Sequence, residues 1–117
     1  MSAMEVAQHI VLLLHLIGFA SLFGGFLVQM KQVEPEVNAA MLHGSYTMLV
    51  TGVALVVFAE VGPDPVNHVK IGIKLVLALI ITVLVVLNRR FTTIPRGLWG
   101  LLGLLTVTNA ALAVLWQ

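Results

Sequence analysis

From Ile10 to Met30 the chain carries no charged side chain, and three further long apolar stretches follow. A run of that length leaves few folds open. About 20 apolar residues rising 1.5 Å each cross the hydrocarbon layer of a bilayer. In lipid only a helix satisfies its own backbone polar groups within one segment. Transmembrane strands are nearer 10 residues long, with in–out alternation that these runs lack. Four spans of about 20 residues account for roughly 80 positions, which leaves short loops in a chain of 117. Composition agrees: 60% of positions are hydrophobic and 9% charged, with a mean hydropathy of +1.08. Soluble domains carry about 25% charged residues, so this chain lacks the side chains to coat a water-facing surface. It reads as an all-α integral membrane protein.

The predicted spans are 4–30, 37–60, 66–88 and 95–116, within a single domain covering 1–117. Ser2-Ala3-Met4-Glu5 spells a capping box for the first. The n-region holds Glu5 and no Lys or Arg, so the first span reads as a retained helix and not a cleaved signal. Lys31 to Glu36 forms the first loop, with Pro35 suited to a first helical turn. Val61-Gly62-Pro63-Asp64-Pro65 is a turn, with Asp64 as the expected N-cap and Pro65 as the first helical residue of the third span. Asn88 to Thr93 makes the third connection.

Short connections favour antiparallel neighbours, so an up-down-up-down four-helix bundle is expected. Lys31, Arg89, Arg90 and Arg96 fall on the two odd-numbered loops, against Lys70 on the other side. The positive-inside rule then places both termini outside, N-out/C-out, in the inner (cytoplasmic) cell membrane as a multi-pass protein. Gly18 and Gly25 share a face of span one, Gly103, Thr106, Ala110 and Ala113 a face of span four, and Gly97, Gly100 and Gly103 thin its start. Such residues allow close helix approach where lipid gives no hydrophobic drive for association.

Ionisable groups inside a membrane are functional candidates by default. His15 and Lys74 each lie five residues past the start of their apolar runs, in spans that point the same way. Both therefore sit roughly 7–8 Å below the same interface. Gln8, His9, Glu5, Glu60, Asn67, His68 and Lys70 lie towards that end as well. The plainer alternatives are a Lys74 that snorkels to the surface and a neutral His15 bonded to a carbonyl one turn back. His9 and His68 are close enough to the interface to be merely hydrated. His43, Thr47 and Thr51 share a face of span two near the other end, where inter-helix hydrogen bonding is expected.

The remaining signals are exclusions. A net charge of +1 gives no ground for nucleic acid as a partner. Without cysteine there is no disulfide, thiolate metal site or cysteine nucleophile. No phosphate-binding loop, H-E-x-x-H or serine elbow is present, so an enzymatic role would have to come through a cofactor. A metal would need ligands from more than one span, with His15 the first candidate.

The segment His15-Leu-Ile-Gly18-Phe-Ala-Ser-Leu-Phe-Gly24-Gly25 resembles the first-span signature of small membrane proteins related to the copper-resistance D family. The HemJ-type protoporphyrinogen oxidases are similar in design, and Val69-Lys70-Ile-Gly-Ile-Lys74-Leu resembles their Lys-bearing third span. The resemblance implies His15 as a ligand to haem b or a transition metal, with Lys74 the partner of a propionate or other acid.

The leading expectation is a small polytopic membrane protein with a His15/Lys74 site near its extracytoplasmic end, binding haem, a porphyrin or a transition metal, with His9 and His68 as further cofactor-binding candidates. The alternatives are an accessory or structural subunit of a larger membrane complex or homo-oligomer, and a small transporter or channel subunit. The expected surroundings are the lipid bilayer and other membrane-protein chains.

Overall fold

A computed structural model of the chain describes residues 1–115. It contains α1 (Ala3–Leu27), α2 (Ala39–Val61), α3 (His68–Asn88) and α4 (Arg96–Leu115), with no strand among the described residues. All four helices are long and apolar enough to cross a membrane. The bundle measures 49 × 25 × 22 Å, which matches a bilayer of about 40–45 Å including headgroups. The chain is a multi-pass helical membrane protein.

The helix ends are set by side-chain caps, and three differ from the sequence expectation. Ser2 caps α1 as expected, its hydroxyl accepting the Glu5 amide at 3.1 Å. α1 stops at Leu27, short of residue 30, because Gln29 folds back: its amide nitrogen donates to Gly25 O at 3.0 Å and Glu36 O at 2.9 Å. α2 starts at Ala39, not at 37, with Asn38 accepting from Met41 N at 2.9 Å. Pro35 stays outside any helix and spends its carbonyl on Ile94 N, at 2.7 Å, and on Thr93 Oγ1. α3 starts at His68 because Asn67, and not Asp64, is the cap, accepting from Lys70 N at 3.1 Å. An Asn held inside a helix begun at Pro65 would forgo that bond. α4 follows the expected start closely; the expected end at residue 116 lies outside the described residues.

Sequential helices pack as neighbours, α4 returns to touch α1, and α1 and α3 lie diagonally opposite. The closest pair is α1 and α2, and glycine is the reason. A methyl on Gly18 would lie 2.8 Å from the Met48 amide nitrogen, and one on Gly44 would overlap the Leu22 backbone. Gly25 is closed by Asn38 and Met41 in the same way. On α4, Gly103 gives its missing Cβ space to the Phe26 ring, whereas Gly97 and Gly100 face open space and pack against nothing.

Most of the large fully buried apolar side chains lie in one half of the bundle. Leu22, Met41, Ile81, Val85 and Leu102 are at most 1% exposed, and all lie towards the end that carries the α1–α2 and α3–α4 connections. A polar clamp closes this double-loop end. Arg96 donates to Gln32 O and Met30 O across the two loops. Trp99 Nε1 donates to Phe26 O at 3.1 Å while its ring stacks on Phe26 at 4.3 Å. Hydroxyls buried nearby donate to their own helices, Ser45 to Leu42 O and Thr82 to Ala78 O. That arrangement satisfies a hydroxyl in a medium without water.

Candidate functional site

At the opposite end, where α2 turns into α3, the interior between the four helices is not filled. A cleft of about 200 Å³ is lined by His15 of α1, Met48, Gly52 and Leu55 of α2, Lys74, Leu75 and Ala78 of α3, and Asn109 of α4. Most of its wall is apolar. Its polar groups come from three different helices, so the bundle itself brings them together.

His15 is fixed by Thr51, its Nδ1 lying 2.8 Å from Thr51 Oγ1. This replaces the expected bond to a carbonyl of its own helix. The Thr51 hydroxyl has one proton, which it directs to Thr47 O at 2.6 Å. Its oxygen is then placed to accept, which assigns the hydrogen to Nδ1 of His15. Nε2 is left with its lone pair, the state in which imidazole acts as a ligand or hydrogen-bond acceptor. Gly52 supplies room beside the ring, since a methyl there would stand 3.3 Å from His15 Cε1.

Lys74 lines the same cleft, so the two residues singled out by depth meet in one cavity. It has no acidic partner: the single side-chain ion pair among the described residues is His68 to Glu60, at 2.7 Å. Asn109 adds a third polar group. Its Oδ1 is buried and accepts no hydrogen bond among the described residues. The cleft is thus lined by a lysine whose ammonium has no acceptor among the described residues, by an imidazole, and by an asparagine whose Oδ1 is buried without a donor.

The other sequence candidates lie elsewhere. His9 is exposed, with Nδ1 2.6 Å from Glu5 O on its own helix. His68 is exposed and held by Glu60 across the α2–α3 turn. Neither lines the cleft. His43 is exposed and makes no side-chain hydrogen bond among the described residues; of the expected trio on α2, Thr51 is the one whose side chain bonds across helices among them. Asn109 and the Thr51 contact are what the sequence reading missed. Asn109 carried a signal, as the single carboxamide within the fourth apolar run, but it lies beside the small-residue face that drew attention.

No three His, Cys, Asp or Glu side chains among the described residues are grouped so as to hold a metal ion. Comparison with known proteins gives no match to any family model, curated protein or solved structure. The cleft itself therefore has to carry the functional reading.

Proposed function

We propose that this chain binds a porphyrin-type ligand, haem b foremost, in the cleft at the α2–α3 turn end. Nε2 of His15 would hold the iron, and Lys74 would pair with a carboxylate of the ring. The observation that carries this reading is the Thr51 bond to Nδ1, which holds the ring and leaves Nε2 directed away from Thr51, as hydrogen-bond partners of ligating histidines do. A macrocycle brings its own in-plane nitrogens and needs one side chain from the protein. A bare transition metal needs a ligand set that the described residues do not assemble. When bound, haem would supply an iron centre for electron transfer or for binding a small axial molecule; the chain's part is to hold and orient it and to exclude water from it. The basic residues Lys31, Arg89, Arg90 and Arg96 at the double-loop end support an N-out/C-out topology in the cytoplasmic membrane, with the cleft opening outward.

The test is an absorbance spectrum of the purified, haem-reconstituted protein, oxidised and then reduced with dithionite. A near-stoichiometric Soret band that is lost in His15→Ala is expected. A band of equal intensity in His15→Ala, with helicity retained in both proteins, removes His15 from the site.

A second reading has its own support. Gly97 and Gly100 present bare helix backbone to the outside of the bundle, with no atom within 4 Å of a built Cβ. Such faces suit docking of another transmembrane helix, in a homo-oligomer or a larger complex.

A further inference from the structure

A second space, of about 480 Å³, lies at the α2–α3 turn, with walls from Gln8 of α1, Phe58 of α2, Asp64 and Asn67 of the turn, and Lys70 of α3. Phe58 stands in the last turn of α2 and Lys70 in the first turn of α3, so the space sits at the very end of these spans. In a bilayer that is the depth of the lipid headgroups.

Its charges are of both signs and are not spent on one another. Asp64 is in no ion pair with Lys70, since the single side-chain pair among the described residues is His68 with Glu60. The side chains of Gln8, Asp64 and Lys70 make no hydrogen bond among the described residues. Asn67 is occupied, its Oδ1 accepting the Lys70 amide at 3.1 Å. Lys70 also stands one helical turn from Lys74, a pairing of like charges that is unfavourable until an anion joins it. Asp64 has the opposite need, for a cation. Apolar surface begins directly below: Leu12, one turn along α1 from Gln8, and Ile73, three residues along α3 from Lys70, are both exposed.

We propose that this space holds the headgroup of an aminophospholipid of the phosphatidylethanolamine type. The phosphate diester pairs with Lys70, the primary ammonium with Asp64 and the Gln8 carboxamide oxygen, and the acyl chains run along Leu12 and Ile73. A purely anionic headgroup would satisfy the lysine and leave Asp64 beside a phosphate. A headgroup that carries both charges on a short ethylene link satisfies both. Its ammonium has N–H donors for charge-assisted hydrogen bonds to a carboxylate, which the quaternary nitrogen of a choline headgroup lacks. The site stands apart from the porphyrin reading, because Gln8, Asp64 and Lys70 do not line the cleft beside His15.

The experiment titrates the full chain, in neutral detergent, with phosphatidylethanolamine or phosphatidylcholine of matched acyl chains, and reads bound lipid by native mass spectrometry. The ethanolamine lipid is expected to bind about fivefold more tightly, the size of one exposed charged contact; this comparison needs no variant to fold. Asp64→Asn should narrow the ratio to about twofold or less, by weakening the ethanolamine lipid alone. Lys70→Gln should weaken both lipids by about fivefold and leave the ratio as it was, because both carry the phosphate. Lys31→Gln, the same change at the double-loop end, should alter neither. Equal binding of the two lipids, or a preference that survives Asp64→Asn, overturns the proposal. Displacement of the ethanolamine lipid by an equal concentration of phosphatidylglycerol would reduce the site to a patch for anions and also overturns it. Displacement by soluble glycerophosphoethanolamine at a similar concentration would assign the space to a water-soluble solute and overturn the lipid as occupant.

Discussion

The two halves of this bundle are built from equally apolar helices and end up different. At the double-loop end Leu22, Ile81 and Leu102 are sealed from outside, glycines bring α1 and α2 into backbone contact, and two loops are tied by Arg96, Gln29 and Pro35. At the α2–α3 turn end the same helices separate around a cleft holding His15, Lys74 and Asn109. The contrast follows from where close contacts are possible. Gly18, Gly25, Gly44 and Gly103 all serve the packed half, whereas Gly52 in the open half serves only to leave room for a histidine ring. One half fixes the geometry, and the other is thereby free to keep a cavity.

The largest test of that division is Gly44→Ala. Its new methyl meets the backbone of Leu22, which cannot rotate away as a side chain would. The expected cost is about 3 kcal/mol, the upper part of the overpacking range, read as a lower midpoint in detergent thermal unfolding. Gly52→Ala is the matched control from the other half, because its methyl meets only the edge of a ring at 3.3 Å. A Gly44→Ala protein as stable as Gly52→Ala would mean that the packed half is not what fixes the bundle.

Next in size is Thr51→Val, which keeps the side-chain shape and removes the acceptor from Nδ1 of His15. Loss of a hydrogen-bond partner that orients a ligating histidine weakens metal binding by about 10- to 100-fold, so haem affinity should fall by about tenfold with little change in helicity. Thr82→Val makes the same chemical change in the packed half, where the hydroxyl donates to Ala78 O of its own helix. It should leave the titration unaltered. Equal effects of the two substitutions would mean that the hydroxyl acts through stability and not through His15.

How much of this was legible in the residues follows from what lipid allows to be encoded. The helices were legible because an uncharged run such as Ile10–Met30 has one solution in a bilayer. The meeting of His15 and Lys74 was legible because depth along a straight helix is simple counting. Helix ends were less so: Asp64 and Asn67 are both competent caps, and the choice depends on which amide each reaches in three dimensions. The division into a packed and an open half was not legible. In water a buried face differs from an exposed one in polarity, but in lipid both are apolar. Leu22, buried, and Leu16, exposed, read alike in the sequence. Asn109 was missed for a related reason, since its position on the inner face depends on the rotation of α4 set by Phe26 against Gly103.

The smallest expected effect is the one that separates the two functional readings. Gly100 lies on α4 with nothing within 4 Å of a built Cβ, so Gly100→Ala adds a methyl into lipid and restricts the unfolded chain. Where the native backbone accepts it, that change stabilises by roughly 0.4–1 kcal/mol, and a rise in unfolding midpoint of that order is expected for a protein that works as a single bundle. If this face instead receives another helix, the methyl holds the two backbones apart. The substitution would then lower the mass of the detergent-extracted particle, and the opposite signs of the two outcomes make a small effect decisive.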